Sequence, residues 1–506
     1  MSSPLLLSAI WVVPLLAAFA TLFLKRDDHL AVKLVHAVCH GGNLLLAISL
    51  LVSFLAETEG ALPASGTVTQ LHFAMDRIWI PALNIHYNVG VDGLSMLMIL
   101  LTAMIIFAGV FASWGIRDRA REFFILLDLL VAGVYGTFMS FDLFALFLFY
   151  EVAVLPMYLL IGVWGTGRKE YSAMKLTLML VAGSALLMGG ILALYFGSHL
   201  QTFDLNVLSQ YPFPRSFQRL FFPILFFGFG VLSAIFPFHT WSPDGHASAP
   251  TAVSMLHAGV LMKLGGYGIL RVAMYVLPEG ATEWFPWLIL PIAVNVAYGP
   301  FVALRQRDLK YITAYSSVSH LGLVLLGLAV CTFTGIKDSA MQMISHGLLT
   351  GLFFALIGMI YGRTHTRNVD EMGGLMKKMP FLGVSFVLAG FAGLGLPGLS
   401  GFVAESTIFV GAFENPSAVV RGCTVVAILS IVTTAVYILR AANRMLHGPL
   451  PERFGTLTDA VWNERLAVIV LLIGLFGMGL FPGWIADALD GSVAPLFNNL
   501  VRAVVP

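Results

Sequence analysis

The sequence predicts an all-α protein that crosses a membrane many times. Of its 506 residues, 58% are hydrophobic and 11% are charged, and the mean hydropathy is +0.88. Soluble domains typically carry about 25% charged residues, which excludes a soluble fold here. The 50 glycines agree with this class, because glycine is common in membrane helices and lets neighbouring helices pack closely.

Apolar stretches of about 20 residues, the length that crosses a bilayer, predict about fourteen transmembrane helices. The first stretch lacks the basic start and the small-residue cleavage site of a signal sequence, so we interpret it as a transmembrane helix. The predicted spans are 5–24, 30–55, 92–114, 123–141, 142–165, 172–197, 219–240, 249–277, 285–304, 309–331, 337–362, 381–414, 418–447 and 465–489.

Basic residues alternate between the predicted loops. Most of the 28 lysines and arginines fall in odd-numbered loops or at their edges, which the positive-inside rule assigns to the cytoplasm. We therefore expect a multi-pass membrane protein with both termini on the non-cytoplasmic side. The longest outer loop, 57–91, contains β-prone pieces at 67–73 and 78–85, which predict a hairpin over the outer face.

Glycine and proline interrupt the seventh and twelfth predicted spans. The first interruption is Ile235-Phe-Pro-Phe-His-Thr-Trp241, and the second is Gly393-Leu-Gly-Leu-Pro-Gly-Leu-Ser-Gly401. A bilayer tolerates free backbone groups only where protein or a wet cavity satisfies them. Two broken helices five spans apart favour two inverted five-helix repeats around a transport site. The alternative is that each proline only kinks a packing helix.

This pattern predicts four regions. Residues 1–122 hold the first three helices and the outer loop, 123–277 form the first repeat (helices 4–8), and 285–447 form the second, inverted repeat (helices 9–13). Residues 448–506 hold the last helix and the C-terminal tail.

Ionisable residues near the middle of apolar spans are the main functional signal. Placing such a side chain at the bilayer centre costs from about 3 kcal/mol upward, so these residues are candidates for an ion or proton path. Histidine titrates near neutrality and can relay protons. The alternatives are a structural ion pair and, for each histidine, a hydrogen-bonded core residue. The candidate axis consists of Glu151, Lys175, Lys263, His320, His346 and Glu405.

Other functions find little support in the composition. The net charge of +1 argues against a nucleic-acid partner. Cys39, Cys331 and Cys423 occur singly, without disulfide or metal-ligand spacing. We therefore predict no cofactor, iron–sulfur or metal site in this chain.

Several segments resemble the antiporter-like subunits of respiratory complex I, and in particular the chain M branch, which is related to mitochondrial subunit 4. The most specific segment reads Phe236-Pro-Phe-His-Thr-Trp-Ser-Pro-Asp-Gly-His-Ala-Ser-Ala-Pro-Thr251. The resemblance extends over nearly the whole chain. It continues in Ala258–Gly268, Ala314–Gly322, His346–Leu349, Thr366–Leu375 and Gly401–Glu405.

The resemblance implies a proton-pumping unit in the membrane arm of NADH:quinone oxidoreductase. Flavin, iron–sulfur clusters and quinone would belong to partner subunits, and the expected neighbours are other membrane-arm subunits, including antiporter-like chains, and the lipid bilayer. By motif position, Glu151 would gate and couple proton input, Lys263 would be the central carrier, and Glu405 would pass protons outward. His320 and His346 would connect them.

The chain departs from this family at one position. The family usually has a lysine seven residues before the histidine equivalent to His239, as partner to the glutamate at 151, whereas this chain has Leu232. Lys175 is the candidate substitute. Two alternatives stay open: a subunit of an Mrp-type cation/proton antiporter, and a weakly pumping or structural variant of chain M. The stretches Trp241–Pro250 and Thr366–Leu375 favour complex I over the Mrp type.

Overall fold

The computed structural model describes residues 4–58 and 66–504, and these residues are mainly helical. The first part of the chain contains helices α1 (Pro4–Leu22) and α2 (His29–Thr58), strands β1 (His72–Ile80) and β2 (Ile85–Val91), and helices α3 (Gly93–Ala112), α4 (Ala120–Met139), α5 (Leu143–Trp164), α6 (Lys169–Ser198), α7 (Leu205–Gln210), α8 (Arg215–Leu232) and α9 (Trp241–Ser248).

The second part begins with a continuous helical stretch, Thr251–Met274. It comprises α10 (Thr251–Leu256), a π-helical segment (His257–Leu261), α11 (Met262–Gly268) and a second π-helical segment (Ile269–Met274). The remaining helices are α12 (Pro278–Arg305), α13 (Leu309–Ala329), α14 (Phe333–Thr364), α15 (Pro380–Gly393), α16 (Ser400–Glu414), α17 (Ala418–Leu446), α18 (Trp462–Leu480) and α19 (Gly483–Val504).

The predicted all-α polytopic membrane class is confirmed. Twelve helices of the described residues are long and apolar enough to cross a membrane. They correspond to all the predicted spans except the seventh and the twelfth. The total of fourteen and the sidedness of the termini stay predictions.

The seventh and twelfth predicted spans are broken, as their glycines and prolines indicated. Helix α8 ends at Leu232 and α9 begins only at Trp241, while α15 ends at Gly393 and α16 begins at Ser400. In the second break Gly395 has φ +64° and Gly398 has φ +89°. Glycine adopts this left-handed conformation without steric cost, so the sequence itself provides the break.

The two halves of the bundle repeat the same order of helix packing. Helix α4 packs on α5, α5 on α6 and α6 on α8, and in the same way α12 packs on α13, α13 on α14 and α14 on α16. A glycine makes the first contact close in both halves. A Cβ on Gly133 would lie 2.5 Å from Ala153 N, and one on Gly299 would lie 2.7 Å from Tyr315 O. This recurrence agrees with the predicted repeats.

The predicted hairpin is present, with shifted boundaries. Strands β1 and β2 pair antiparallel, with Ile80 opposite Ile85. The predicted piece 78–85 contains the turn itself, because Pro81 begins a 3-10 turn and Asn84 has φ 52°. Strand propensity alone did not locate this turn.

Candidate functional site

Lys263 lies at the centre of the molecule on α11 and is fully buried. Its ammonium group donates a hydrogen bond to the carbonyl oxygen of Ala258, five residues earlier in the adjoining π-helical segment. A π segment disrupts the regular i to i−4 bonding of a helix and frequently occurs at functional sites. The local backbone therefore supplies the acceptor that a buried lysine requires.

A pair of histidines, His246 and His257, lies beside Lys263. Their ring centroids are 4.2 Å apart, both residues are fully buried, and both interact electrostatically with Lys263. Trp241 stacks on His257 at 5.2 Å. The sequence analysis did not select these histidines as site residues, although each lies in a motif that it quoted or next to one.

A second group of titratable side chains extends from Lys263 into the second half. His346 on α14 interacts electrostatically with Lys263, and its ring stacks on that of His320 on α13 with centroids 5.2 Å apart. His320 Nδ1 lies 2.9 Å from Glu405 Oε1 on α16. Gln342 Nε2 also donates to Glu405 Oε1, at 3.3 Å. Four predicted residues, from Lys263 to Glu405, thus form one buried series.

The break between α15 and α16 lies close to the carboxylate of Glu405. A Cβ on Gly395 would lie 3.2 Å from Glu405 Oε2, and the positive φ of Gly395 also favours glycine. The unwound segment can therefore approach the carboxylate more closely than a segment with a side chain at this position.

Glu151 lies on α5 in different surroundings. Its Oε1 is buried and has no hydrogen-bond partner among the described residues, and the Ser184 hydroxyl of α6 is its polar neighbour. None of the described lysines or arginines forms an ion pair with it. Leu232, which replaces the lysine expected from the family, is buried at the end of α8.

Lys175 does not fill the place of that lysine. Its Nζ lies 2.7 Å from Asp244 Oδ2 on α9, and Tyr311 donates a hydrogen bond to Asp244 Oδ1 at 3.0 Å. Lys175 also interacts electrostatically with His239 in the broken segment. The sequence analysis offered Lys175 as the candidate cation for Glu151, and in this structure its ammonium group pairs with Asp244 instead.

A buried ion pair lies at the other end of the Thr251–Met274 stretch. Arg271 pairs with Asp92, the N-terminal cap of α3, and its guanidinium lies over the rings of Phe141 and Tyr267. The sequence analysis did not select either residue of this pair. The place of Arg271 inside the predicted span 249–277 could have marked it as an ionisable residue at membrane depth, although no sequence signal indicates Asp92 as its partner.

The side chains of the series have the chemistry that proton transfer requires. Lysine, histidine and glutamate side chains all bind and release protons. Among the described residues, one cluster has metal-ligand chemistry, namely His36, His40 and Asp128, and it lies outside the series, between α2 and α4.

A family model supports this description. Residues 140–433 match the model described as NADH:quinone oxidoreductase/Mrp antiporter, transmembrane. An NAD(P)H-quinone oxidoreductase chain 4 from Synechococcus sp. is 37% identical over 445 residues, which cover 86% of this chain and 84% of that protein. This chain therefore belongs to the NADH:quinone oxidoreductase/Mrp antiporter family. The chloroplastic chain 4 of Cryptomeria japonica is 36% identical over 432 residues, covering 84% of this chain and 86% of its own length.

Solved structures in the family have the same fold. A chain of respiratory complex I from Thermus thermophilus matches with a TM-score of 0.87 and 26% identity, over 98% of this chain and 99% of that one. A chain of the Mrp complex from Dietzia sp. matches with a TM-score of 0.83 over 99% of this chain and 100% of its own. At 18% identity, this second likeness concerns the fold alone.

Proposed function

We propose that this chain is a membrane-arm subunit of a proton-translocating NADH:quinone oxidoreductase and that protons pass through its buried polar series. The observation that carries the proposal is the contact of Glu405 with His320, whose ring stacks on that of His346. His346 in turn interacts electrostatically with Lys263. Family membership supports coupling of proton transfer to electron transfer, since the relatives are named as quinone oxidoreductase chains. Flavin, iron–sulfur clusters and quinone would belong to partner subunits.

Lys263 is the central carrier in this proposal. Its bond to Ala258 O fixes the ammonium group, while its burial makes the charge sensitive to neighbouring charges, because few water molecules can screen them. An approaching negative charge favours the protonated amine and an approaching positive charge favours its release. Conformational changes in the redox partners would act on Lys263 in this way.

The two histidines then conduct the proton. An imidazole accepts a proton at one ring nitrogen and releases one from the other. Both ring nitrogens of His346 are buried without a hydrogen-bond partner among the described residues, so they are available to exchange protons with Lys263 and His320. His320 transfers the proton to Glu405, whose Oε1 lies 2.9 Å from His320 Nδ1. Glu405 releases it on the outer side.

Glu151 serves as the input gate in the first half. Its unpaired Oε1 gives it no fixed cation, so its protonation responds to charges brought near it. Lys175 takes part through Asp244 and His239 rather than through direct contact with Glu151. In this arrangement the Lys175–Asp244 pair fixes the positions of charged side chains on the input side of the series.

The proposed setting follows from the alternation of basic loops. The chain lies in the bacterial inner membrane, with both termini on the non-cytoplasmic side, and it packs against other membrane-arm subunits, including antiporter-like chains. The lipid-facing helices support the membrane setting, since α1, α2, α6, α17 and α18 keep many apolar side chains exposed.

A second candidate function is a weakly pumping variant of the same subunit. The specific observation is Glu151 without a cation, together with Leu232 at the position of the family's lysine. An Mrp-type antiporter subunit is the third candidate, and it rests on the fold and on the family description. The relatives named as quinone oxidoreductase chains, at 35–39% identity, favour complex I.

The decisive experiment removes the gene and restores it on a plasmid. Inverted membrane vesicles receive NADH, and proton uptake is followed by fluorescence quenching of an acridine dye. We expect NADH-driven uptake beyond that of the downstream chain to disappear on deletion and to return on complementation, and the tagged chain to co-purify with NADH oxidation activity. Sodium/proton exchange that needs this chain but no NADH would instead identify an Mrp-type antiporter.

A further inference from the structure

Three titratable side chains form a compact cluster in the N-terminal helices, outside the buried series from Lys263 to Glu405. His36 Nδ1 lies 3.0 Å from Asp128 Oδ2, and His40 Nε2 lies 2.8 Å from Asp128 Oδ1. All three residues are fully buried. The histidines lie one helical turn apart on α2 and Asp128 lies on α4, so the cluster joins two helices.

Thr21 on α1 indicates which ring nitrogen of His36 carries the hydrogen. The Thr21 hydroxyl donates to Ala17 O at 2.7 Å, and its oxygen lies 3.1 Å from His36 Nε2. One hydroxyl proton cannot serve two acceptors, so Nε2 of His36 is the donor of this second bond. The lone pair of a neutral His36 is then on Nδ1, and it faces the Asp128 carboxylate.

This arrangement requires a positive charge between the two groups. A lone pair and a carboxylate oxygen 3.0 Å apart repel each other. His36 Nδ1 and Asp128 Oδ2 do not meet the geometry of a hydrogen bond, and neither has another partner among the described residues. A bound metal ion would supply this charge, and it requires no N–H···O alignment.

The spacing of the ligand atoms suits a tetrahedral ion. Zinc with ligands at about 2.0–2.1 Å places neighbouring ligand atoms about 3.3–3.4 Å apart. The candidate ligand atoms of His36, His40 and Asp128 all lie within 4.8 Å of one another, so small side-chain rotations would bring them to that spacing. The bond from His36 to Thr21 would orient the imidazole in the way that outer-shell partners orient metal-bound histidines.

We propose that His36, His40 and Asp128 form a binding site for a divalent transition-metal ion of the zinc type, which links α2 to α4 and, through Thr21, to α1. When the ion binds His40 Nε2, the proton that this nitrogen now donates to Asp128 moves to Nδ1, so that a neutral imidazole is the ligand. Buried ion pairs often stabilise no better than apolar packing, so a structural role alone explains this polar triad poorly. The proposal is independent of the proposed function.

The test uses the full chain, purified in detergent, stripped with a chelator and titrated with Co²⁺ as a spectroscopic probe. We expect one Co²⁺ per chain with visible d–d absorption, displaced by Zn²⁺. X-ray absorption at the zinc edge should then show two imidazole ligands. A wild-type chain that binds no Co²⁺ above background would overturn the proposal, whatever the variants do.

Three variants separate the site from surface binding. His40→Gln should abolish the cobalt spectrum, and Thr21→Val should weaken affinity by about 10–100-fold through the outer shell. His447→Gln, at an exposed histidine far along the chain, should leave binding unchanged. Equal stoichiometry in wild type and a folded His40→Gln chain would mean surface binding only and would refute the site.

Discussion

The two halves of the bundle share a helix arrangement but differ in the side chains that surround their buried glutamates. In the second half, Glu405 contacts His320 at 2.9 Å and receives a bond from Gln342. In the first half, Glu151 has an unpartnered oxygen, and the nearby Lys175 pairs with Asp244 instead. The same topology therefore holds a glutamate with polar side-chain partners in one half and a glutamate with an unpartnered oxygen in the other.

The comparison shows that equivalent helices do not guarantee equivalent chemistry. Both halves have the close glycine contact between their first two helices and a broken helix near the end. What differs is the set of side chains around each break. Variants in each half can therefore test whether the difference has a functional consequence.

The largest effect is expected at the junction of the halves. Lys263→Ala removes the central carrier, and we expect redox-driven proton uptake in vesicles to fall by at least about 100-fold, the scale of a lost acid–base group. Complex assembly on native gels should be unchanged. If the variant pumps like the wild type, Lys263 is not the carrier, and it does not connect the two halves.

The next effect compares the two glutamates directly. Glu405→Gln keeps the size of the side chain but removes its proton exchange with His320, and we expect a loss of about tenfold or more. Glu151→Gln should also impair pumping, but less, because Glu151 lacks a fixed partner. The measurement is the proton uptake rate at equal NADH oxidation. A stronger defect in Glu151→Gln would reverse the proposed order of the halves.

A third variant would make the first half resemble the family pattern. Leu232→Lys introduces a buried ammonium that requires a partner, and the unpaired oxygen of Glu151 is the candidate acceptor. We expect proton uptake to rise severalfold and to become more sensitive to Glu151→Gln. Leu232→Met is the matched control, since it adds length without charge. Equal rates for Lys and Met at this position would show that the missing cation does not limit pumping.

The smallest effect concerns the Lys175–Asp244 pair. Both side chains are partly exposed, by 24% and 17%, so solvent weakens the pair and single variants should lower pumping only a few-fold, about 1 kcal/mol. Because the two groups act together, Lys175→Ala and Asp244→Asn should not add in the double variant. Tyr311→Phe removes the other bond to Asp244. Additive losses would place Lys175 in a separate role, such as contact with Glu151.

Much of the fold was predictable because membrane physics acts along the chain. The length and apolarity of the spans follow from bilayer thickness. The breaks follow from glycine and proline at 393–401 and from the proline within 235–241. The turn at Pro81 and the π segments around Lys263 were not predicted, since they depend on local backbone geometry that residue propensities do not fix. The His36–His40 spacing contained a signal that the sequence analysis, with its prediction of no metal site, did not use.

The sequence by itself determined that this is a polytopic membrane protein with acids and bases at bilayer depth, because each residue's depth is set by its position in its own helix. The tertiary structure alone decided which of those groups meet: His320 with Glu405, and Lys175 with Asp244 rather than Glu151. The physical reason is that contacts between helices depend on their rotation and crossing. Close backbone contacts such as that of Gly133 with α5 set these, and depth along the chain does not specify them.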